Sequence, residues 1–421
     1  MHYLIIGAGP AGVNAAEHLR KFDPASRITL LAAEDVPPYS RMALPYYLVG
    51  NIDAEGTYLR KQPDHFEQAR IEVRHGRASD VDAEARQVTL LGGEKIGYDK
   101  LLVATGATAT RPPIPGIDSD GVHNCWSLAD AHRIIDDTEP DSRVILMGAG
   151  FIGCIILEAL AARKVELTVI EMEERMVSRM TNKAMGDMIK QWCENQGIKV
   201  LTSTRVTEIV SADGSLAVKS DGGETIAADV IICATGVRSN TAFLDGSGVE
   251  VDMGIVVDDF MQTSVADIYA AGDVAQGRDL STGDYYVQAI QPTAVEHGKL
   301  AAQNMAHGHQ TPHPGNVNMN VLDTVGLIST SFGLWMGVDG GEETTMSDPD
   351  RFQYLNLQFR DDVLIGASSL GMTQHVGVMR GLIQTATPLG EWKDKLLAEP
   401  NRISEAYLAS AQSQNVSLTA V

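Results

Sequence analysis

One motif occurs twice in this 421-residue chain, and that repetition decides most of what the chain can fold into. Met1–Gly12 reads MHYLIIGAGPAG, an apolar run closed by Gly7, Gly9 and Gly12 in G-x-G-x-x-G spacing. From Arg143 the pattern recurs as RVILMGAGFIG, with Gly148, Gly150 and Gly153 placed 141 residues after the first set. A short apolar run of this kind is a buried parallel strand. The first glycine permits a tight turn, the second lets backbone approach a pyrophosphate, and the third lets the next helix pack close to the strand. The helix N-terminus then presents free N–H groups and partial positive charge to that pyrophosphate. A lone glycine triplet is weak, because an ordinary strand–turn–helix can carry it. Here each copy is followed by a helix (Val13–Lys21, Ile155–Ala162), a second strand (Arg27–Leu31, Glu166–Ile170) and an acid. Glu34 lies 22 residues past Gly12 and Glu171 lies 18 past Gly153, about where a carboxylate meets a ribose hydroxyl.

Both copies also close alike. Tyr98–Gly106 ends in Ala104-Thr105-Gly106, a small-residue turn beside the first glycine loop, and Asp229–Gly236 ends in Ala234-Thr235-Gly236. The chain therefore contains a duplicated nucleotide-binding fold, not a solenoid. The proline-rich Arg111–Gly116 marks a domain crossing between the copies. After Glu34, Pro37 and Pro38 fix an extended entry to Tyr39, Ser40 and Arg41, whose planar guanidinium suits a pyrophosphate. Ile268–Asp273 (IYAAGD) sets Asp273 at the carboxyl end of a short strand, where ligands of open α/β sheets collect. That carboxylate can bond a sugar alcohol or cap the next helix. Pro292 opens a helix over Gln291–Ala306. Short strands are expected at Ile71–Val73 and Gln87–Leu91, helices at Ser127–Asp137 and Gly186–Gly197, and a hairpin-like stretch at Val206–Ile226.

From Pro312 the texture changes. Strands are expected near Val321–Ser329, Gln353–Gln358 and Val363–Ser368, and helices at Gly377–Gln384, Leu389–Ala398 and Ile403–Ala411. The fold class is α/β, with two Rossmann-like dinucleotide-binding domains and a C-terminal α+β domain. Residues 1–112 with 241–311 form the first, 113–240 the second and 312–421 the third. Glu171 also speaks to the second dinucleotide, since a carboxylate accepts the 2′-hydroxyl of NAD and repels the 2′-phosphate of NADP. Glu173 and Glu174 add to that repulsion, with Arg175 the one nearby countercharge.

Composition removes several other classes. A net charge of −22 argues against a nucleic-acid partner, which wants a basic stripe. There is no run of 18 apolar residues and no basic stretch with a cleavage site, so the expectation is a cytoplasmic protein without a membrane span. Cys125, Cys154, Cys193 and Cys233 are far apart and form no C-x-x-C pair. They frame no metal or iron–sulfur site, and as unpaired thiols they belong in the core.

The order GAGPAG, ATG, GAGFIG, ATG, AAGD resembles that of the pyridine nucleotide-disulfide oxidoreductases, FAD- and NAD(P)-binding enzymes of glutathione-reductase-like fold. Tyr39-Ser40-Arg41, Glu296-His297-Gly298 and the stretch Leu389–Leu408 are similar to the branch of rubredoxin and ferredoxin reductases and the flavin domain of nitrite reductase. The resemblance covers almost the whole chain. It implies that Gly7, Gly9 and Gly12 hold the FAD pyrophosphate, Glu34 its adenosine ribose and Asp273 its ribitol chain, with Arg41 lying along it. Gly148, Gly150, Gly153 and Glu171 would hold NAD(H), with Gly236 near the nicotinamide end, and the helix at Pro292 would point at the flavin ring. The implied activity is that of an FAD-dependent NAD(H):acceptor oxidoreductase. Hydride would pass between the two cofactors, and single electrons between FAD and an iron–sulfur partner. No catalytic side chain or metal is required. The chain would work as the flavin subunit of a 2-oxoacid dehydrogenase complex, as a free-standing rubredoxin or ferredoxin reductase, or as an NADH-sensing flavoprotein with little turnover. The resemblance also implies an oligomer or hetero-complex, with the C-terminal domain as a dimer or partner interface.

Two positions depart from the family. Where thiol-dependent members carry a redox cysteine before A-L-P-Y, this chain has Met42-Ala43-Leu44-Pro45-Tyr46. A thioether forms no thiolate, which disfavours peroxidase, disulfide reductase and water-forming oxidase chemistry. Ile155 stands where relatives usually place a glutamate that contacts the nicotinamide amide.

Overall fold

A computed structural model describes residues 1–212 and 215–418. The chain divides into two compact units, Met1–Thr108 with Val237–Asn316, and Ala109–Gly236 with Val317–Val421.

The first unit is built on a five-stranded parallel sheet. Its strand order is Ile268–Ala270, Lys100–Val103, His2–Ile6, Arg27–Ala32, Glu72–His75. Leu4, Ile5, Leu30, Leu101 and Leu102 are fully buried, in one core with Val13, Ala16 and Leu19 of the following helix and with Val81, Val88 and Leu90 of a small antiparallel sheet. The register aligns Ile6 with Val103 and Val103 with Ala270. Three chain segments therefore leave the sheet at one level: the Gly7 loop, the Ala104 turn and the Ala271-Gly272-Asp273 turn. The helix after the first loop runs Pro10–Phe22, three residues longer at its start than expected. Proline at the first turn costs no hydrogen bond, so the helix begins at once. A small antiparallel sheet (Ala78–Asp82, Gln87–Leu90, Lys95–Gly97) is appended.

The second unit repeats the plan. Its parallel sheet has the order Lys199–Leu201, Glu166–Ile170, Arg143–Met147, Val230–Cys233, Val122–Asn124. The register again aligns the two strands that feed the loops, Met147 with Cys233. Helix Leu128–Asp137 starts at a capping box formed by Ser127 and Asp130. Helix Lys183–Asn195 starts three residues before the expected Gly186, because the Asn182 side chain accepts the Met185 N–H and fixes the first turn. The stretch expected to be hairpin-like is three antiparallel strands, Val206–Ala212, Ser215–Ser220 and Thr225–Ala228. Its first turn, residues 213–214, lies outside the described residues.

The C-terminal part of this unit is a five-stranded antiparallel sheet covered by helix Val376–Thr385. The single strand expected near Val321–Ser329 is in fact two, Met319–Thr324 and Leu327–Gly333. Val325 and Gly326 both take positive φ, 53° and 83°, which is the two-residue turn that matches strand twist. An unforeseen strand, Glu342–Asp348, forms the far edge.

Candidate functional site

The glycines of both loops are demanded by backbone contacts. A Cβ on Gly7 would lie 2.1 Å from the Ala104 carbonyl oxygen, and one on Gly148 would lie 2.5 Å from that of Ala234. The two turns adopt φ of +113° and +101°, a region open to glycine at little cost. A Cβ on Gly12 would lie 1.9 Å from the Gly7 carbonyl oxygen, and one on Gly153 2.1 Å from that of Gly148. The middle glycines are different: a Cβ on Gly9 or Gly150 meets no atom within 4 Å. Each is also the N-cap of its helix and supplies no side-chain cap. First-turn N–H groups thus face open space at both loops, the arrangement that fits a pyrophosphate.

The two acids are held differently. Glu171 is buried, and its carboxylate accepts the Ala149 N–H at 2.6 Å and the Glu173 N–H at 2.8 Å. It therefore reaches back into the second glycine loop and fixes that loop's shape. Glu34 is half-buried, accepting the Tyr39 hydroxyl at 2.7 Å and pairing with Arg41 at 3.0 Å. The pair draws the Tyr39–Arg41 segment onto the acid. Asp273 sits at the third turn, where burial raises its pKa and the Arg41 charge opposes the shift. Both Glu34 and Asp273 thus answer to Arg41. At the second copy, Ile155 is half-exposed. Burial, and then repulsion from Asp323, raise the Glu158 pKa, which disfavours a fixed negative charge there.

Behind Asp273, small residues let two helices meet. A Cβ on Gly272 would lie 3.1 Å from Ala11 Cβ and 3.4 Å from Ala294 Cβ, and one on Gly298 would lie 2.3 Å from the Ala11 carbonyl oxygen. The helices Pro10–Phe22 and Gln291–His307 are in backbone contact here. The second starts at Ile290 without a side-chain cap and with Pro292 in its first turn, leaving another uncapped positive end. An open cavity of about 790 Å³ lies beside this start, lined by Met42, Gln291, Pro292, Val295, Glu296 and Lys299. Met42, 49% exposed, is at its wall. The family's thiol position therefore opens on the cavity, and a thioether fills it.

Two positioning contacts were not visible in the sequence. Asn240 bridges the first A-T-G turn: its N–H donates to Gly106 O, its Nδ2 to Thr105 O, and its carbonyl accepts the Thr105 hydroxyl. The Ser40 hydroxyl donates to Gln291 Oε1 at 2.6 Å, tying the Tyr39–Arg41 segment to the helix start. Asn240 could have been suspected from its place four residues after the second A-T-G, whereas Ser40 and Gln291 are 251 residues apart with no shared signal. At the second turn, Thr110 N–H donates to Gly236 O and the Thr235 hydroxyl to Thr110 O. Among the described residues, no group of three or more His, Cys, Asp or Glu side chains could hold a metal ion. No helix among them is long and apolar enough to cross a membrane.

All four cysteines are free and buried. Burial pushes Cys125 and Cys193 up to about 12 and Cys233 to about 11, and raises Cys154 as well. The thiolate is the reactive form, so iodoacetamide should add nothing to the native protein at neutral pH. Intact-mass spectra should show four adducts after denaturation and none before it.

Two dinucleotide loops on parallel sheets, each with an acid and a returning A-T-G turn, define a two-dinucleotide oxidoreductase. The profile of the pyridine nucleotide-disulphide oxidoreductases matches residues 1–301, and the chain belongs to this family. It is an oxidoreductase whose cofactors are FAD and NAD(H). The chain is 32% identical over 410 residues to the NADH-dependent phenylglyoxylate dehydrogenase subunit epsilon of Aromatoleum evansii, covering 97% of each chain. It is 31% identical over 386 residues to the rubredoxin–NAD(+) reductase of Pseudomonas putida, covering 91% of this chain and 99% of that one. Among solved structures, a NAD-dependent persulfide reductase from A. fulgidus is similar, with a TM-score of 0.85 and 28% identity. That match spans 93% of this chain and 78% of the other.

Proposed function

We propose that this protein transfers electrons between NAD(H) and an iron–sulfur protein, with FAD as the intermediary, as the flavin subunit of a 2-oxoacid dehydrogenase complex. In this reading Gly7, Gly9, Gly12, Glu34, Arg41, the Ala104–Gly106 turn and Asp273 hold FAD, while Gly148, Gly150, Gly153, Glu171 and Gly236 hold NAD(H). Bound FAD supplies the step from two-electron hydride chemistry to one-electron exchange. The chain's own residues orient and shield: Glu171 shapes the loop that receives NAD(H), Asn240 fixes the A-T-G turn, and the uncapped Gln291–His307 helix favours negative charge at its start.

The observation that carries the reading is Met42 on the open cavity, in a chain whose cysteines are all buried. Without a thiolate at that position, electrons have no protein-bound disulfide to enter and must pass to an external carrier. The Aromatoleum evansii relative, similar along its full length, supports membership of a complex. The Pseudomonas putida relative, also matched along nearly its full length, supports a second reading as a free-standing rubredoxin reductase. The four free cysteines suit a reducing cytoplasm.

Anaerobic affinity purification from native cells separates the two readings. Iron–sulfur and thiamine-enzyme subunits should co-purify and be identified by mass spectrometry, with iron in the eluate. A yellow protein recovered alone, without iron, and reoxidised by rubredoxin would replace the complex reading with the free-standing one.

A further inference from the structure

Beneath the helix Gln291–His307 lies a buried polar cluster that the reading above does not use. His297 is on the inner face of that helix, 3% exposed, and His313 lies against it, 1% exposed. Their ring centroids are 5.0 Å apart at an interplanar angle of 87°. Strand Ala275–Arg278 passes so close that a Cβ on Gly277 would lie 3.1 Å from His297 Cε1. His297 Nε2 is 3.0 Å from Asn316 Oδ1, and Asn316 Nδ2 donates to Glu296 Oε2 at 2.8 Å. The other oxygen of Glu296 is 3.9 Å from His313 Nε2. Glu296 also lines the open cavity, and its side chain is 54% exposed. One carboxylate therefore faces solvent on one side and both buried histidines on the other, His297 through Asn316 and His313 across 3.9 Å.

Three imidazole nitrogens in this cluster, Nδ1 of His297 and both nitrogens of His313, are buried without a hydrogen-bond partner among the described residues. Buried polar atoms are normally paired, and exceptions concentrate where a proton or an ordered water is accommodated. The charged groups facing the pair are few. Glu296 faces it from the helix. Asp259 faces it as well, its backbone carbonyl accepting the backbone N–H of His313 at 2.6 Å. Asp259 is itself occupied, by the Tyr285 hydroxyl at 3.0 Å and by Arg278 at 3.5 Å. Burial, and then His313, push His297 down to about 4, while burial also lowers His313 against the pull of Glu296 and Asp259. Burial thus disfavours a proton on both rings, and added negative charge nearby raises the proton affinity of such a site.

We propose that the His297–His313 pair is a redox-linked proton site, loaded through Glu296 when the flavin unit is reduced. The proposal rests on the reading that FAD binds with its ring at the start of the same helix. On reduction by NADH, a proton from solvent passes to a Glu296 carboxylate oxygen and on to His313 Nε2, where an N–H bond forms. No electron enters or leaves the pair, and reoxidation returns the proton by the same route. Glu296 and the two histidines are positioning residues, because they bind the counter-charge and not the substrate.

Nuclear magnetic resonance of the FAD-loaded full chain, with isotope-labelled histidine ring nitrogens, tests this. Spectra are taken at neutral pH before and after anaerobic reduction with dithionite, while the visible flavin band is followed. The expected result is one buried imidazole changing to the imidazolium pattern as the band bleaches, with His313→Asn assigning that signal. The midpoint potential of the wild type should also fall with pH by one more proton per electron pair than that of His313→Asn, about 30 mV per pH unit. Bleaching with both rings unchanged would overturn the proton site and leave the FAD reading intact. A protein that binds no FAD would overturn both.

Discussion

Gly12→Val should yield a colourless protein. A Cβ at this position would lie 1.9 Å from the Gly7 carbonyl oxygen and 3.3 Å from Ile5 Cγ2. The first obstacle is backbone, so no rotamer change relieves it, and helix Pro10–Phe22 must move off the strand that feeds the loop. Overpacking of a core typically costs about 1–3 kcal/mol. With a backbone obstacle and two extra methyls the upper end applies, lowering Tm by roughly 6–12 °C for a unit of this size. The displaced helix also carries the N–H groups aimed at the pyrophosphate, so FAD should be lost. The ratio of visible to protein absorbance, read with a thermal scan, checks both effects. Gly153→Val introduces the same lesion in the second copy, 2.1 Å from the Gly148 oxygen. That variant should stay yellow and reducible by dithionite, yet be inert to NADH. A yellow Gly12→Val protein with unchanged Tm would remove the first glycine loop from the FAD site.

Glu171→Ala should lower kcat/KM for NADH by about 100-fold or more. The carboxylate holds two backbone N–H groups, those of Ala149 and Glu173. Leaving a buried donor unpaired costs about 1–3 kcal/mol, and each 1.4 kcal/mol is tenfold in rate or affinity. The Ala149 N–H belongs to the glycine loop itself, so the loop loses its shape along with the carboxylate proposed to meet the ribose. NADPH should not replace NADH in the variant, since Glu173 and Glu174 remain, both exposed, to repel a 2′-phosphate. Steady-state kinetics with both nucleotides checks this. Unchanged kcat/KM for NADH would show that neither the Glu171 carboxylate nor the loop shape it holds serves the cofactor.

What the sequence made legible follows from the range of the forces involved. Gly7, Gly12, Gly148 and Gly153 could be read because each is required by a backbone contact in the same strand–turn–helix, and that requirement leaves a fixed local spacing. Glu171 was legible for the same reason, although not its hydrogen bonds to Ala149 and Glu173. The C-terminal hairpin was misread because Val325, an apolar residue, occupies a turn position and disguised two strands as one. Strand Glu342–Asp348 was missed because this edge strand buries no residue fully, so EETTMSD, with Met346 its one strongly apolar side chain, carries no alternation to detect. Ser40–Gln291 and the His297–His313 contact depend on residues that only the folded chain brings together. No periodicity announces such pairs.

The close junction of Ala11, Gly272, Ala294 and Gly298 makes the first unit a gauge of ligand length. It fixes the distance between two positive helix ends, one at each end of the proposed FAD site, and backbone contact leaves that distance no room to adjust. A mononucleotide such as FMN can engage one end at a time and forfeits the other. On the proposed reading, discrimination between the two flavins would follow from a spacing set by four residues that have almost no side chain.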